Sequence, residues 1–400
     1  MASTSALEKR LASRVKLRDA SFITRMADIA EGLDDVIRLG RGDPDFATPA
    51  HIVKAGQEAL AAGATHYTHP LGIPALRQAI ADNIETYGGA RYELDEIVVT
   101  PGGQQAMFVI ALSLLDRGDE ILVPCPGYNP YHQAAEIADA TLVRVPTTLA
   151  TNFTLTAELV AQHITPKSKI LVLINPNNPT GTVTPPDEIA KIAKLAIEHD
   201  LIVVSDEIYA RLVYGNETVQ PVAALPGMRD RTITLSGFSK AYAMTGWRIG
   251  YFAGPRALIT AMAEIHHAFA ISTASVSQHA ALAALTGPQD CVEEMRLTYD
   301  QRRLALCAGL DQIGFTYAKP QGAFYVYADV SSTGLTASDF CERLLLEGRV
   351  MTYPGGISGD ETDEFIRLSL TQPIARITEA LRRMEKVVSG IKAERKASAA

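Results

Sequence analysis

The stretch SGFSKAYAMTGWRIG, residues 236–250, places one lysine among small residues and one arginine eight positions later. A lysine amine can condense with a carbonyl group, or act as a base when it is neutral. An arginine presents a fork of donors that suits phosphate or carboxylate. Ser236 and Ser239 add hydroxyl groups beside the lysine. A surface lysine needs no such neighbours, so the stretch predicts chemistry at Lys240 and anion binding at Arg248.

Other polar or turn-forming groups also follow short apolar runs. They are PGGQQA at 101–106, PGYNPY at 126–131, PNNPTG at 176–181, DEIY at 206–209 and FSK at 238–240. A Gly-Gly turn that opens a helix exposes backbone N–H groups and favours an anion. In an open α/β sheet, ligands bind at the carboxyl ends of the strands. We therefore expect these groups to meet at one edge, where they offer an anion cradle, a flat aromatic, an amide, a carboxylate, a phenol and an amine.

The elements that must position these groups are β-rich runs that alternate with helix-like segments. The runs lie at 96–100, 120–125, 141–146, 169–175, 201–206, 232–237 and 249–254. Residues 185–200 are typical of a helix, because a proline stands near the start, acids fill the first turn and apolar residues recur every three or four positions. Strands alternating with helices indicate βαβ units. The predicted fold is α/β, with a mostly parallel seven-stranded sheet covered by helices.

The pattern changes after about residue 290. Runs at 324–330, 349–355 and 365–370 are predicted strands between helices, and a long helix is expected near 374–390. We interpret this part as a smaller α+β domain. The predicted division is a large domain at 49–289 and a small domain formed by residues 1–48 together with 290–400.

The chemical groups at the predicted edge match the needs of one cofactor. Pyridoxal phosphate has a phosphate, a flat ring, a ring nitrogen to be kept protonated, a phenolic oxygen and a carbonyl that condenses with an amine. A lysine for the carbonyl and a carboxylate for the ring nitrogen are its standard requirements. The sequence therefore predicts a site for pyridoxal 5'-phosphate. No cluster has zinc-ligand spacing, so no metal site is predicted.

Several longer motifs make a family resemblance specific. NPNNPTG (175–181), SDEIY (205–209), SGFSKAYAMTGWRIGY (236–251) and FIRLSL (365–370) occur in this order. Together they resemble the fold-type I aminotransferases of class I/II, the aspartate-aminotransferase-like family. The resemblance runs from GRGDPDF at 40–46 to RLSL at 367–370. The pattern SxxK alone would carry no weight, because serine and lysine are common.

The resemblance implies a role in cofactor binding for each matching residue. Lys240 would bind the cofactor covalently, and Asp206 would bond the pyridine N–H and keep the ring cationic. Tyr209 and Asn178 would bond the ring oxygen, and Tyr128 would stack on the ring. The phosphate would be held by a larger group, namely Arg248, Ser236, Ser239, Gly102, Gly103 and Gln104.

Further matching residues concern the substrate and a second subunit. Arg367 resembles the arginine that takes the substrate α-carboxylate as a fork. Gly42 would lie beside the substrate, as would Asn178. Tyr67 resembles the tyrosine that reaches the phosphate across a subunit boundary, which implies a homodimer with shared active sites.

The resemblance implies a ping-pong aminotransferase that moves an amino group from an L-amino acid to a 2-oxo acid. Dicarboxylate-specific relatives bring a second cation for the distal carboxylate, in some a lysine in the glycine turn, where this chain has Gln104. Residues 269–281, in a stretch that shapes the pocket of other relatives, are small and uncharged. We therefore expect a neutral donor rather than a strictly dicarboxylic one.

Three alternatives remain open at this point. A pyridoxal-phosphate-dependent lyase, of the carbon–sulfur β-lyase or decarboxylase type, could use the same residues. A ligand-sensing module fused to a DNA-binding domain would need a helix-turn-helix segment before the fold, and the first 40 residues are too few for one. A non-catalytic scaffold is disfavoured, because the polar groups are all present.

Composition limits the partners. The chain has 400 residues and a net charge of −8, whereas a nucleic-acid binder normally has a basic face. No run approaches the roughly 18 apolar residues of a membrane span. The four cysteines form no CxxC pair, so we expect free thiols in the cytoplasm. The predicted partners are amino-acid and 2-oxo-acid substrates and a second copy of the chain, with no nucleic acid and no membrane.

Overall fold

The computed structural model of the chain describes residues 10–12, 22–358 and 363–398. The helices are α1 (Phe22–Glu31), α2 (Ala50–Ala61), α3 (Pro74–Gly88), α4 (Gly103–Leu114), α5 (Pro130–Ile137), α6 (Ala157–His163), α7 (Pro186–Glu198), α8 (Arg256–Ala270), α9 (Ser275–Thr286), α10 (Asp290–Ile313), α11 (Ala337–Gly348) and α12 (Ile374–Ser398). Among these described helices, none has both the length and the apolar character that crossing a membrane requires.

The strands are β1 (Ile37–Arg38), β2 (Ile97–Thr100), β3 (Glu120–Cys125), β4 (Thr141–Pro146), β5 (Ser168–Ile174), β6 (Ile202–Asp206), β7 (Thr232–Gly237), β8 (Gly250–Ala253), β9 (Tyr325–Asp329), β10 (Val350–Met351), β11 (Tyr353–Pro354) and β12 (Phe365–Ser369). The predicted strands lie where the sequence places them, except that the run at 349–355 is divided into β10 and β11. The helix predicted at 374–390 is longer and ends at Ser398.

The largest sheet has seven strands in the order β2-β8-β7-β6-β5-β3-β4. Strands β7, β6, β5, β3 and β4 are parallel, and β8 runs antiparallel to both of its neighbours. The strands are nearly continuous apolar runs, because helices pack on both faces and exclude water. The predicted α/β fold with a mostly parallel seven-stranded sheet is confirmed.

Helix α7 illustrates how the covering helices form. It begins at Pro186, whose fixed φ and missing N–H suit the first helical position. Asp187 and Glu188 place negative charge at the positive end of the helix. The face that packs on the sheet is formed by Ile189, Ile192, Ala193 and Ala196. This spacing puts the apolar residues on one side of the helix, and their burial anchors it to the sheet.

A second core lies beside the large sheet. Strands β11, β12 and β9 form an antiparallel sheet, and β1 pairs with β10 in parallel. One cluster of buried side chains joins these strands to α1, α10, α11 and α12. This packing supports the predicted small domain, although its boundaries stay predictions. The prediction also assigns to it residues 1–9, 13–21, 359–362 and 399–400, which lie outside the described residues.

The carboxyl ends of neighbouring strands bring candidate residues to one edge of the large sheet. Asp206 is the last residue of β6, and Lys240 stands three positions after β7. Asn178 follows β5, and α4 begins at Gly103 shortly after β2. Because β5, β6 and β7 are parallel neighbours, their ends open on the same side.

Candidate active site

A cavity of about 240 Å³ lies at the carboxyl-end edge of the large sheet. Residues of the seven-stranded sheet and of the three-stranded antiparallel sheet line it. Its walls contain most of the predicted site residues, namely Gly42, Gly103, Gln104, Tyr128, Asn178, Asp206, Tyr209, Ser239, Lys240, Arg248 and Arg367. The remaining lining residues are not among those predicted: Met107, Ile174, Ile208, Leu235, Thr245 and Tyr325. The structure therefore brings together groups that are scattered along the sequence.

Lys240 is half-buried, and its amine lies in this cavity. Its Nζ donates a 2.6 Å hydrogen bond to the backbone oxygen of Gly42. The pKa of Lys240 is lowered to about 8, mainly by burial and further by the charges of Arg367 and Arg248, although Asp43 opposes the change. A neutral amine is the form that attacks a carbonyl or accepts a proton. Lys240 is therefore more reactive near neutral pH than a lysine on the surface.

Asp206 is a buried carboxylate at the end of β6. Its Oδ2 accepts a 2.9 Å hydrogen bond from the Tyr131 hydroxyl, and its Oδ1 accepts from the N–H of Ile208 at 3.2 Å. Burial raises the pKa of Asp206 to about 6, although the two hydrogen bonds and the charge of Lys240 act in the opposite direction. A buried carboxylate gains most from a cationic N–H partner. Asp206 is thus suited to a protonated ring nitrogen.

The turn before α4 and Arg248 form a cationic corner. Gly102 has a φ of +82°, and a Cβ there would lie 2.7 Å from Nη2 of Arg248, so glycine allows the close approach although it is not itself on the cavity wall. The first N–H groups of α4, which begins at Gly103, favour an anion. Arg248 donates through Nη1 to the backbone oxygen of Thr245 at 3.0 Å. With Ser239 on the same cavity wall, this corner fits a phosphate group.

Arg367 on β12 lines the cavity and hydrogen-bonds to neutral groups. Its Nη1 donates to Oδ1 of Asn178 at 3.2 Å, and its Nη2 donates to the backbone oxygen of Gly40 at 2.8 Å. Its Nε is buried and has no hydrogen-bond partner among the described residues. A buried, unsatisfied N–H needs an acceptor, and a carboxylate matches the guanidinium geometry. Arg367 is therefore suited to bind a substrate carboxylate.

Tyrosine side chains form further parts of the cavity wall. The Tyr209 hydroxyl lies 3.2 Å from that of Tyr325. The ring of Tyr128 packs edge-on against Tyr131, with ring centroids 6.5 Å apart. Burial raises the pKa of Tyr128 to about 12 and raises the pKa of Tyr209 well above its ordinary value. These two phenols therefore stay protonated at neutral pH and can donate hydrogen bonds.

Ser236 and Tyr67 do not line the cavity of their own chain. Ser236 follows Leu235 on β7, and neighbouring residues of a strand point to opposite faces. Because Leu235 lines the cavity, Ser236 points away from it and donates to the backbone oxygen of Glu207 at 3.4 Å. This geometry does not support the predicted phosphate contact of Ser236. The Tyr67 side chain is 77% exposed, so its predicted contact with a second subunit stays a prediction.

Two tyrosines that were not predicted complete the hydrogen bonding of the site. Tyr131 is the last residue of the PGYNPY motif, three positions after Tyr128, so its place in the same motif was a usable signal. Tyr325 lies in the predicted strand at 324–330 together with Tyr327. Alternation places both of these side chains on the same face of the strand, so the pattern cannot tell which one reaches the cavity.

The residues of the cavity fit pyridoxal phosphate. The cationic corner suits the phosphate, the buried carboxylate of Asp206 suits the ring nitrogen, and the amine of Lys240, with its lowered pKa, suits the carbonyl. The unsatisfied Nε of Arg367 leaves a place for a substrate carboxylate. In the part of the chain that the structure describes, no group of three or more His, Cys, Asp or Glu could hold a metal ion.

Comparison with known proteins gives consistent matches. Residues 34–384 match the family model of aminotransferase class I and II. The chain is 39% identical over 381 residues to the aspartate aminotransferase of Pyrococcus abyssi, covering 94% of this chain and 98% of that protein. It is 36% identical over 381 residues to aromatic-amino-acid aminotransferase 2 of Thermococcus litoralis, with the same coverage of 94% and 98%. The structure of Thermus thermophilus aspartate aminotransferase with maleate aligns with a TM-score of 0.89 at 38% identity, covering 94% and 99% of the two chains.

Proposed function

Since this chain belongs to the aminotransferases of class I and II, we propose that the cavity around Lys240 is its active site. Each residue on the cavity wall then has a separate role in transamination. The chain is a pyridoxal-phosphate-dependent aminotransferase, which moves an amino group from an amino acid to a 2-oxo acid. The residue assignment rests on one observation: the same cavity is lined by Lys240, Asp206, Arg248 and Arg367.

The cofactor would be held mainly by residues at the carboxyl ends of the strands. Asp206 would hold the ring nitrogen, Tyr209 and Asn178 would bond the ring oxygen, and Tyr128 would stack on the ring. The phosphate would be held around the start of α4 by Gly102, Gly103, Gln104, Ser239 and Arg248. When bound, pyridoxal phosphate supplies a carbonyl that condenses with an amino group and a cationic ring that accepts the electrons released at Cα.

Lys240 would move the proton. Its neutral Nζ accepts the proton from the substrate Cα, and burial together with the charges of Arg248 and Arg367 suppresses the competing ammonium form. Asp206 would stabilise the developing negative charge indirectly, because its carboxylate would keep the ring nitrogen of the cofactor protonated. The two half-reactions of a ping-pong cycle use the same groups in opposite directions.

Arg367 and Gly42 would position the substrate. Arg367 would bind the α-carboxylate through its fork of donors, with Asn178 beside it. A Cβ on Gly42 would collide with the hydroxyl of Tyr325, so glycine keeps this space open. The backbone oxygen of Gly42 also accepts the hydrogen bond of Lys240, which ties the substrate side of the cavity to the reactive amine.

We propose a neutral amino donor. Among the described residues that line the cavity, the cations are Lys240, Arg248 and Arg367, and each already has a role in the proposed mechanism. Gln104 occupies the position in the glycine turn where a further cation could bind a distal carboxylate. The names of the relatives include both aspartate and aromatic-amino-acid aminotransferases, so aspartate is the competing donor.

The comparisons do not favour the lyase alternative. The family model and the relatives reported above are aminotransferases, and their similarity extends over most of the chain. A lyase would release ammonia and a cleaved fragment, or carbon dioxide, whereas an aminotransferase releases an intact 2-oxo acid. The measurement of products therefore separates the two activities directly.

The proposal includes a homodimer with shared active sites. Tyr67 is 77% exposed, and two other apolar side chains with high exposure, Phe269 at 55% and Ile271 at 41%, lie at the C-terminal end of α8. The N–H of Thr68 donates to the Ser272 hydroxyl at 3.3 Å, which joins the loop of Tyr67 to the segment after α8. Exposed aromatic and aliphatic groups of this kind support an interface with a second copy of the chain.

We also propose a cytoplasmic location. Among the described residues, the four cysteines Cys125, Cys291, Cys307 and Cys341 form no disulfide bond. Cysteines without disulfide bonds are typical of proteins that work in a reducing compartment. The measurement that checks this assignment is fractionation of the producing cells followed by detection of the chain in each fraction.

The function is tested by adding amino acids one at a time to the purified holoenzyme without an acceptor. The set is L-alanine, L-leucine, L-phenylalanine and L-aspartate, and the visible absorption of the bound cofactor is followed together with ammonia. We expect a neutral donor to bleach the band fastest and the matching 2-oxo acid to restore it. Fastest bleaching by L-aspartate would overturn the donor proposal, and release of ammonia would favour the lyase.

The role of Lys240 is tested by Lys240→Ala. We expect turnover to fall below detection and the cofactor to be lost on gel filtration, because the covalent attachment is missing. After borohydride reduction, mass spectrometry should find the cofactor on the Lys240 peptide of the wild type and on no peptide of the variant. Lys191→Ala removes an exposed lysine of α7 and is the matched control. Transamination by Lys240→Ala at the wild-type rate would contradict the assignment.

A further inference from the structure

Tyr325 joins two parts of the site that lie far apart in the sequence. It is buried on β9 and lines the cavity. Its hydroxyl lies 3.2 Å from the hydroxyl of Tyr209, which follows the large-sheet strand β6. The guanidinium carbon of Arg367 lies 4.6 Å from the centroid of the Tyr325 ring. One side chain therefore contacts both a proposed cofactor ligand and the proposed substrate arginine.

The register of the small antiparallel sheet explains the contact between Tyr325 and Arg367. Arg367 on β12 is directly opposite Tyr327 on β9, and Ser369 is opposite Tyr325. Tyr325 is therefore the diagonal neighbour of Arg367 on the same face, within reach of a long side chain. A cation above an aromatic face is attracted by the ring quadrupole. The Tyr325 ring thus restrains the guanidinium of Arg367 through its face, while Asn178 and Gly40 accept hydrogen bonds from the same guanidinium.

The hydroxyl of Tyr325 determines what Tyr209 can do with its single proton. Two phenols in contact share one hydrogen bond, and either can be the donor. If Tyr325 donates to the Tyr209 oxygen, the proton of Tyr209 is free to point into the cavity toward a ring oxygen. Hydrogen bonds in such a chain strengthen one another, so Tyr209 becomes a better donor. This orientation agrees with the role proposed for Tyr209, whereas the reverse orientation would remove its proton from the cofactor.

We propose that Tyr325 is a positioning residue that donates its hydroxyl proton to Tyr209 and supports the guanidinium of Arg367 on its ring. The inference rests on the proposed function, because it concerns the same cavity. The hydroxyl sets the hydrogen-bond strength of Tyr209 toward the cofactor, and the ring sets the position of Arg367 toward the substrate. These two contributions can be removed separately.

The hydroxyl is tested by Tyr325→Phe, with the pH at which the visible absorption of the bound cofactor changes as the readout. Donation by Tyr209 to the ring oxygen favours the deprotonated state, in which that oxygen carries negative charge. Loss of the Tyr325 hydroxyl weakens this donation, so the midpoint should rise by roughly 0.3–1 pH unit. In a Tyr209→Phe background the same substitution should leave the midpoint unchanged. An unchanged or lower midpoint in the single variant overturns the proposal, as does an equal rise in both backgrounds.

The ring is tested by comparing Tyr325→Phe with Tyr325→Leu. With 2-oxoglutarate as acceptor and L-alanine or L-aspartate as donor, Tyr325→Phe should keep KM near the wild-type value. Tyr325→Leu should raise KM by roughly 2- to 30-fold, because the cation loses its aromatic support. Equal KM values for the two variants overturn this part of the proposal.

A matched control separates a positioning role from a general effect on folding. Tyr327→Phe removes the hydroxyl of a buried tyrosine on the same strand, where its ring packs against Phe153 and Phe365 rather than in the cavity. Its absorption midpoint and KM should match the wild type. If the wild type shows no visible absorption band in the presence of pyridoxal phosphate, the proposed function itself is contradicted. If the wild type has a normal band and Tyr325→Phe does not change its pH midpoint, only the further inference is contradicted.

Discussion

Desolvation in the cavity shifts the pKa values of Asp206 and Lys240 toward each other. The pKa of Asp206 rises to about 6, and the pKa of Lys240 falls to about 8. Between these values the carboxylate is ionised, and the neutral fraction of the amine grows as the pH rises. In that pH range the cavity offers both an anion for a ring nitrogen and an amine that can react.

We expect the pKa of Lys240 to control how fast the cofactor-free protein takes up pyridoxal phosphate. Only the neutral amine attacks the carbonyl, and a lowered pKa means that this form dominates above about pH 8. The uptake rate should therefore rise by about tenfold per pH unit below that value and level off above it. Stopped-flow absorbance at constant ionic strength measures the profile. A rate that keeps climbing toward pH 10 would indicate an amine with an ordinary pKa.

Asp206→Asn keeps the shape of the side chain and removes its charge. The half-reaction of an amino donor without acceptor should slow by at least about 100-fold, because the cation at the ring nitrogen is no longer stabilised. Rapid-mixing absorbance gives this rate. The matched control is Glu207→Gln, which changes a half-buried neighbouring carboxyl that accepts from Ser205 and lies outside the cavity. Equal rates in the two variants would mean that the charge of Asp206 has no part in catalysis.

At the scale of elements, a charged pair connects the loop that carries Gly42 to helix α10. Arg302 on α10 donates to both carboxylate oxygens of Asp45, at 2.7 and 2.9 Å. The same arginine donates to the backbone oxygen of Leu370 at 3.0 Å, just beyond the end of β12. The pair therefore fixes the loop relative to the strand that carries Arg367.

Arg302→Met keeps most of the buried aliphatic volume and leaves Asp45 without its cation. We expect the free energy of unfolding to fall by about 3 kcal/mol and KM for the amino donor to rise, because the loop loses its anchor. Thermal melting and steady-state kinetics measure the two effects. Arg382→Met removes an exposed pair with Glu379, so we expect the free energy of unfolding and KM to stay close to the wild-type values. If Arg302→Met lowers the stability but leaves KM unaltered, the pair of Arg302 and Asp45 does not position the substrate site.

The positions of elements follow from the sequence more closely than the directions of side chains. The strand predicted at 232–237 is β7, yet the sequence does not show that Leu235 faces the cavity and Ser236 faces away. Both faces of a buried parallel strand are apolar, so the usual alternation of polar and apolar residues is missing. The same difficulty applies to Tyr325 and Tyr327, which share one face of β9.

At the scale of the whole molecule, the cavity combines residues from Gly42 to Arg367. The part formed by the large sheet could be predicted, because parallel strands end at a common edge and their order sets what meets there. The contribution of Tyr325 depends on how the small antiparallel sheet packs against that edge. No local sequence pattern predicts how two sheets pack against each other, so only the structure shows the contact between Tyr209 and Tyr325.

Shared active sites in a homodimer predict that two damaged chains can complement each other. A hybrid of a Lys240→Ala chain with a Tyr67→Ala chain contains one site that has both an intact lysine and an intact tyrosine. After subunit exchange of an equal mixture, half of the dimers are hybrids, so about a quarter of the sites should be intact. Steady-state turnover of the mixture measures this gain. A mixture no more active than the sum of the separate variants would show that Tyr67 serves no neighbouring site.

The neutral hydrogen-bond partners of Arg367 have a consequence for handling the protein. Among the described residues, Asn178 and Gly40 satisfy part of its guanidinium without supplying any negative charge, and its Nε remains open. Small organic acids in a storage solution, such as acetate or citrate, can therefore occupy the place of the substrate as its counter-ion. Apparent affinities for amino acids should thus depend on the buffer anion, and a zwitterionic amine buffer without carboxylates gives the values closest to those of the free enzyme.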